Sequence, residues 1–138
     1  MAYMNQERKA KIAQALKPVL KKYGIKGTLR VRSHMAITLT LQSGPIDFIA
    51  NCNEVCSRSA YQRNGGFREI KENYTDVNPY WFQDHFDGVA KAFLTEAFAA
   101  LKSADYYDNS DAMTDYFDTA YYYDLQVGRW DRPYVVTR

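Results

Sequence analysis

Tyr121-Tyr122-Tyr123-Asp124-Leu125-Gln126-Val127-Gly128-Arg129-Trp130-Asp131-Arg132-Pro133-Tyr134 is the stretch on which the fold of this chain turns. Tyr121, Tyr123, Leu125 and Val127 alternate with Tyr122, Asp124 and Gln126, the period of two of a half-buried strand. The pattern predicts a long strand over 116–127, a stop at Gly128, and a short final strand at Tyr134-Val135-Val136. Upstream, Asp105, Asp108, Asp111, Asp115 and Asp118 lie among tyrosines, so an acidic loop leads into an aromatic strand.

Before that loop, Phe86, Val89, Ala90, Phe93, Leu94, Ala97, Phe98 and Leu101 form the strongest helical stripe in the chain. Asn78-Pro79 reads as a helix start, since Asn caps and Pro has the φ of a first turn, and Asp87-Gly88 reads as a second start. Near the N-terminus, Ile12, Leu16, Val19, Leu20 and Tyr23 predict an amphipathic helix over 5–23 ending at Gly24. Pro18 is expected to kink or split it, because proline removes a backbone donor and crowds the preceding turn.

Between these helices the period falls to two. Leu29 and Val31, then Met35, Ile37, Leu39 and Leu41, alternate with Thr28, Arg30, Arg32, Thr38 and Thr40, predicting two antiparallel strands connected at Ser33-His34. Neither connecting residue is the Gly or Asn that a two-residue turn favours, which points to a longer loop. Ser43-Gly44-Pro45 ends the second strand. Residues 46–63 read as a helix on Phe48, Ile49, Cys52, Val55 and Cys56, Asn64-Gly65-Gly66 as a turn, and 67–76 as a third strand. Together these predict an α+β fold, an antiparallel sheet of about four to five strands with two main helices on one face.

The length, 138 residues, suits one domain over 1–138, and 46% hydrophobic with 25% charged residues is a globular balance that excludes disorder. No apolar run approaches the about 20 residues of a membrane span, and the start at Met1 has no secretory leader pattern, so a cytosolic protein is expected. Charge is uneven: residues 1–33 carry nine Lys/Arg against Glu7, and residues 78–138 carry five Lys/Arg against ten acids. Either the ends are electrically distinct surfaces, or they lie together and neutralise.

No constellation selects a reaction. Cys52, Cys56, His34 and His85 are the residue types of a zinc site, but the histidines are too far apart in sequence for its usual paired spacing. No histidine lies beside Cys52 to act as its base, and Asp84-His85 are neighbours that point apart on a helix. The aspartates from Asp105 to Asp115 lack the glycine and terminal Glu of a calcium loop, and Asn64-Gly65-Gly66 lacks the Lys-Ser/Thr of a phosphate loop. No catalytic residue, metal or cofactor is assigned.

Two binding surfaces remain. Tyr122, Asp124 and Trp130 are candidates for a protein interface, because Tyr and Trp bury much area at little entropic cost and Asp can pair with a basic partner. Lys17, Lys21, Lys22, Arg30 and Arg32 are the alternative, a sequence-tolerant nucleic-acid surface. Against both stands the ordinary role of strand tyrosines in sheet packing.

Asn109-Ser110-Asp111-Ala112-Met113-Thr114-Asp115-Tyr116-Phe117-Asp118, followed by Tyr121 to Tyr134 as quoted, resembles the C-terminal signature of a large polyvalent protein-associated domain family. Lys21-Lys22-Tyr23-Gly24-Ile25-Lys26-Gly27 and Ser43-Gly44-Pro45-Ile46-Asp47-Phe48 are similar to earlier parts of that domain, so the likeness spans most of the chain. The family occurs in bacteriophages and conjugative elements, within giant proteins and as free-standing small ones. The resemblance implies a mobile-element origin and the bacterial host cytoplasm, and it carries no catalytic residues. The expectation is a stoichiometric binder of a host or mobile-element macromolecule, with inhibition of a defence system as one form. A basic, nucleic-acid-binding host protein would suit the Asp/Tyr surface.

Overall fold

The computed structural model describes residues 4–58, 70–72, 74–79, 82–104, 106 and 120–137. The elements run α1 (Gln6–Tyr23), β1 (Lys26–Arg32), β2 (Ala36–Gly44), α2 (Phe48–Arg58), β3 (Thr75–Val77), α3 (Phe82–His85), α4 (Gly88–Leu101), β4 (Tyr122–Val127) and β5 (Val135–Val136). The fold is α+β, with a five-stranded sheet in the order β1-β2-β4-β3 and β5 also on β2.

The sheet is mixed, which corrects the expectation of an antiparallel one. β1 pairs β2 antiparallel and β3 pairs β4 antiparallel, but β4 and β5 both run parallel to β2. Alternation specifies which side chains share a face of a strand, whereas direction depends on how the chain returns to the sheet. Here it returns through α2, β3, α3 and α4, a crossover long enough to bring β4 in parallel.

Asn5 caps α1, its Oδ1 accepting from the Arg8 N–H at 2.8 Å, and Gly24 closes the helix at φ 68°. The expected split at Pro18 does not occur: α1 runs through it as one 18-residue helix. Pro18 and Gln14 are exposed, so the Gln14 carbonyl that loses its donor faces water, where its lone pairs are satisfied without breaking the helix. The β1–β2 loop comprises Ser33, His34 and Met35 between paired Arg32 and Ala36, longer than two residues as expected. Ser33 and His34 both take positive φ, and the Met35 N–H donates to the Arg32 carbonyl at 3.1 Å. Met35 therefore belongs to the exposed turn and not to the apolar face of β2.

Core side chains Ile37, Leu39 and Leu41 of β2 lie opposite Tyr123, Leu125 and Val127 of β4 in register, with Leu29 and Val31 beside them on β1. Ile12 and Leu16 of α1, Phe48 of α2 and the Ala90, Phe93, Leu94, Ala97, Phe98, Leu101 stripe of α4 pack against this face. Val89 lies off that stripe and is 57% exposed, because one residue step rotates it about 100° from Ala90. Asp87 ends up at the N-cap of α4 without capping it; its carboxylate instead accepts from Asn51 Nδ2 at 2.6 Å, tying α2 to the start of α4.

The third strand is shorter than expected, with Ile70 to Glu72 preceding it as irregular chain. In the fourth, Ala120 and Tyr121 precede the strand. The turn at Asn64-Gly65-Gly66, the expected helix continuation over 59–63 and the acidic run over 107–119 lie outside the described residues.

Candidate functional site: the open face of the sheet

Strand alternation gives the sheet a second, polar face. Register aligns it in three cross-strand rows: Arg32, Ala36 and Tyr122; Arg30, Thr38 and Asp124; and Thr28, Thr40, Gln126 and Asp76. Thr38 Oγ1 donates to Asp124 Oδ2 at 2.9 Å, and Thr40 Oγ1 to Gln126 Oε1 at 3.2 Å, so the middle of the face is a hydrogen-bonded polar ladder. A groove of about 910 Å³ runs over it, with Arg30 and Arg32 at the β1 side and Asp76 and Tyr74 at the β3 side.

Each wall has a local cause. The wall that includes Ile70, Glu72 and Tyr74 is anchored by Asn53 of α2, whose Oδ1 accepts from the Ile70 N–H at 2.8 Å while its Nδ2 donates to the Ile70 carbonyl at 3.0 Å. This amide stands in for a partner strand. Beyond the Val127–Thr75 pair the chain leaves β4 at Gly128 (φ 72°) and makes a tight turn. Arg129 and Arg132 exchange backbone hydrogen bonds at 2.9 and 3.1 Å, which puts Trp130 and Asp131 at the tip. Trp130 is therefore 79% exposed, on the groove. β5 then resumes the direction of β4, and Tyr134 anchors it by donating to the Ile46 carbonyl at 2.8 Å against the ring of Phe48.

The tyrosines divide by face. Tyr121, Tyr123, Tyr134 and Tyr106 belong to or pack on the core, with Tyr121 Oη donating to the Leu101 carbonyl at 2.6 Å. Tyr122 is 48% exposed on the open face. Of the three candidates for a protein interface, Trp130 lines the groove, Tyr122 occupies a neighbouring row, and Asp124 is engaged within the protein by Thr38 and Arg32.

The nucleic-acid set is split. Arg30 and Arg32 are on the open face, whereas Lys17, Lys21 and Lys22 lie on α1, in the helix layer across the sheet. Lys22 Nζ pairs with Glu96 of α4 at 3.2 Å, and Tyr23 donates to the same carboxylate. The hydrogen bond to Glu96 pushes the Lys22 pKa up, and the hydrogen bond from Tyr23 pulls the Glu96 pKa down. With Arg32–Asp124, these contacts join the basic N-terminal part to the acidic C-terminal part, so neutralisation across the fold accounts for part of the charge asymmetry.

Cys52 and Cys56 share one face of α2 with their sulfurs 3.9 Å apart, and burial pushes the Cys52 thiol up to about 12. His34 sits in the β1–β2 turn and His85 ends α3. Among the described residues no three His, Cys, Asp or Glu side chains converge as a metal-ligand set.

What the sequence did not reveal is the groove. Its acidic members Glu72 and Asp76 and its anchor Asn53 carry no motif, and only the pairing of β3 with β4 brings them to Trp130. No protein-family model matches the chain, and no curated protein or solved structure matches it.

Proposed function

We propose that this chain acts stoichiometrically, by binding a protein of a bacterial host or of a mobile element through the open face of its sheet, and not by catalysis. The observation that carries this is Trp130, held 79% exposed at the tip of the hydrogen-bonded 129–132 turn on the rim of a polar groove. An indole so exposed contributes nothing to the core, and Trp is among the side chains most effective at the centre of interfaces. The likeness of the Tyr121 to Tyr134 stretch to large polyvalent protein-associated domains supplies the mobile-element setting and the bacterial cytoplasm as compartment. Among the described residues no helix is long and apolar enough to cross a membrane. Inhibition of a defence system is one form such binding takes.

Nucleic acid is the second reading, supported by Arg30 and Arg32 on the same face as Tyr122 and Trp130. Its weakness is charge: Arg32 and Arg129 are paired to Asp124 and Asp131, and Glu72 and Asp76 also line the groove. Phosphate is repelled by such a surface.

A pull-down from bacterial lysate with the tagged full chain, with and without nuclease and at two salt concentrations, tests both. The expected result is a defined protein, retained after nuclease and at higher salt, and lost with Trp130→Ala. Recovery of nucleic acid only, lost as salt rises, would overturn the protein-binding reading.

A further inference from the structure

The groove is electrically polar from one side to the other. On β1, Arg30 is exposed and has no ion-pair partner among the described residues. On the β3 side, Glu72 and Asp76 are exposed and their carboxylates have no cationic partner among the described residues. The charges between them are neutralised internally, Arg32 by Asp124 and Arg129 by Asp131. Among the described residues, what is left for a partner is therefore one cation at the β1 side and two anions at the β3 side, with Tyr74 just before β3 and Trp130 also lining the groove.

We propose that the groove takes an extended peptide segment lying across the strands, with an acidic side chain on Arg30 and an Arg or Lys on Glu72 and Asp76, stacked against Trp130. The strand order β1-β2-β4-β3 separates Arg30 from Asp76 by three strand spacings, and the rows offset them by two residues along the strands. That is about 16 Å between backbones. An extended segment rises about 3.3 Å per residue and turns every second side chain to the same face, so acid and base fall about four residues apart, with side-chain length covering the remainder. Tyr74, next to β3, favours a cation at the acidic side, because a phenol face attracts it and the carboxylates neutralise it. A polyanion meets Glu72 and Asp76 unfavourably, and a purely basic segment leaves Arg30 uncompensated.

This rests on the reading of Trp130 as an interface residue. A random peptide library displayed on yeast and sorted with the purified full chain tests it. Wild type is expected to enrich peptides with an acid and a base about four residues apart, and Trp130→Ala to weaken the strongest of them about tenfold or more. Asp76→Lys, on an exposed position, is expected to abolish the enrichment of a base at that position while the acid facing Arg30 is kept. Peptides without the pairing, or a pattern unchanged by Asp76→Lys, would sink the charge-polar groove even if binding still required Trp130, which leaves the interface itself standing. Binding indifferent to Trp130, together with a lysate pull-down indifferent to it, removes both. Displacement of the selected peptide by oligo-dT, steeply weakened by salt, overturns the peptide occupant in favour of nucleic acid. Thermal melts of each variant verify folding.

Discussion

Arg32 Nη2 lies 2.7 Å from Asp124 Oδ2, joining the turn-proximal end of β1 to β4 across β2 and uniting one member of each of the two candidate binding sets. Asp124 also accepts from Thr38, which is 7% exposed, so the carboxylate is the hub and the arginine an outer arm. With side chains 59% and 34% exposed, solvent screens the ion pair, and a double-mutant cycle is expected to give a coupling of about 0.5 kcal/mol. Asp124→Ala is expected to cost more than Arg32→Ala, about 1–2 kcal/mol in urea unfolding, because it strips the acceptor from the Thr38 hydroxyl. Equal losses would show that the hub role is wrong.

Gly44 occupies a position where a side chain does not fit. A Cβ there would stand 2.7 Å from Ile25 Cγ1 and 2.9 Å from Tyr134 Oη. Gly44→Ala is expected to destabilise by about 1–3 kcal/mol, read from denaturant midpoints. Combined with Tyr134→Phe, which removes one of the clashing atoms, the losses should be less than additive.

Tyr134 gives the protein an alkaline limit. Burial, reinforced by the Asp47 carboxylate, pushes its phenol well above the ordinary value of 10.0. Because the folded value is the higher, the unfolded chain ionises first: the contribution is intact below about pH 10 and is lost as pH rises beyond it. Stability measured from pH 8 upward should fall less steeply in Tyr134→Phe than in wild type. Tyr134→Phe should also be less stable at neutral pH by about 1–3 kcal/mol, since the buried Ile46 carbonyl loses its donor.

The two cysteines should react unequally. Cys52 is buried with its thiol pushed up to about 12, first by burial and then by Cys56, whereas Cys56 is half-buried. At about pH 8, thiol titration with a disulfide reagent is expected to show one fast and one slow group, merging into a single rate in denaturant. Loss of the fast phase in Cys56→Ala assigns it; loss of the slow phase instead would refute the assignment.

Much of the fold was legible in local pattern. The stripe of Ile12 and Leu16 and the alternation of Ile37, Leu39 and Leu41 each express a period that backbone geometry imposes on its own, and the stop at Gly24 follows from the left-handed φ that glycine takes freely. The split expected at Pro18 is absent because the proline sits on the exposed face of α1, and Val89 misled because a stripe read from residue type is wider than the face that is buried. The direction of β4 and β5 was not legible, since hydrogen bonding accepts either direction and alternation is the same in both.

By itself, then, the sequence determined the main helices α1 and α4, the strands β1, β2 and β4 and which of their residues share a face, because those follow from 3.6 and 2.0 residue periods acting over a few neighbours. It did not determine the bounds of β3. Only the tertiary structure decided which faces meet. Long-range pairing committed Asp124 to Arg32 and Thr38, divided the lysines of α1 from Arg30, and brought Asp76 and Trp130 to one groove. Those are contacts between residues dozens of positions apart, and they depend on a crossover whose course no local period encodes.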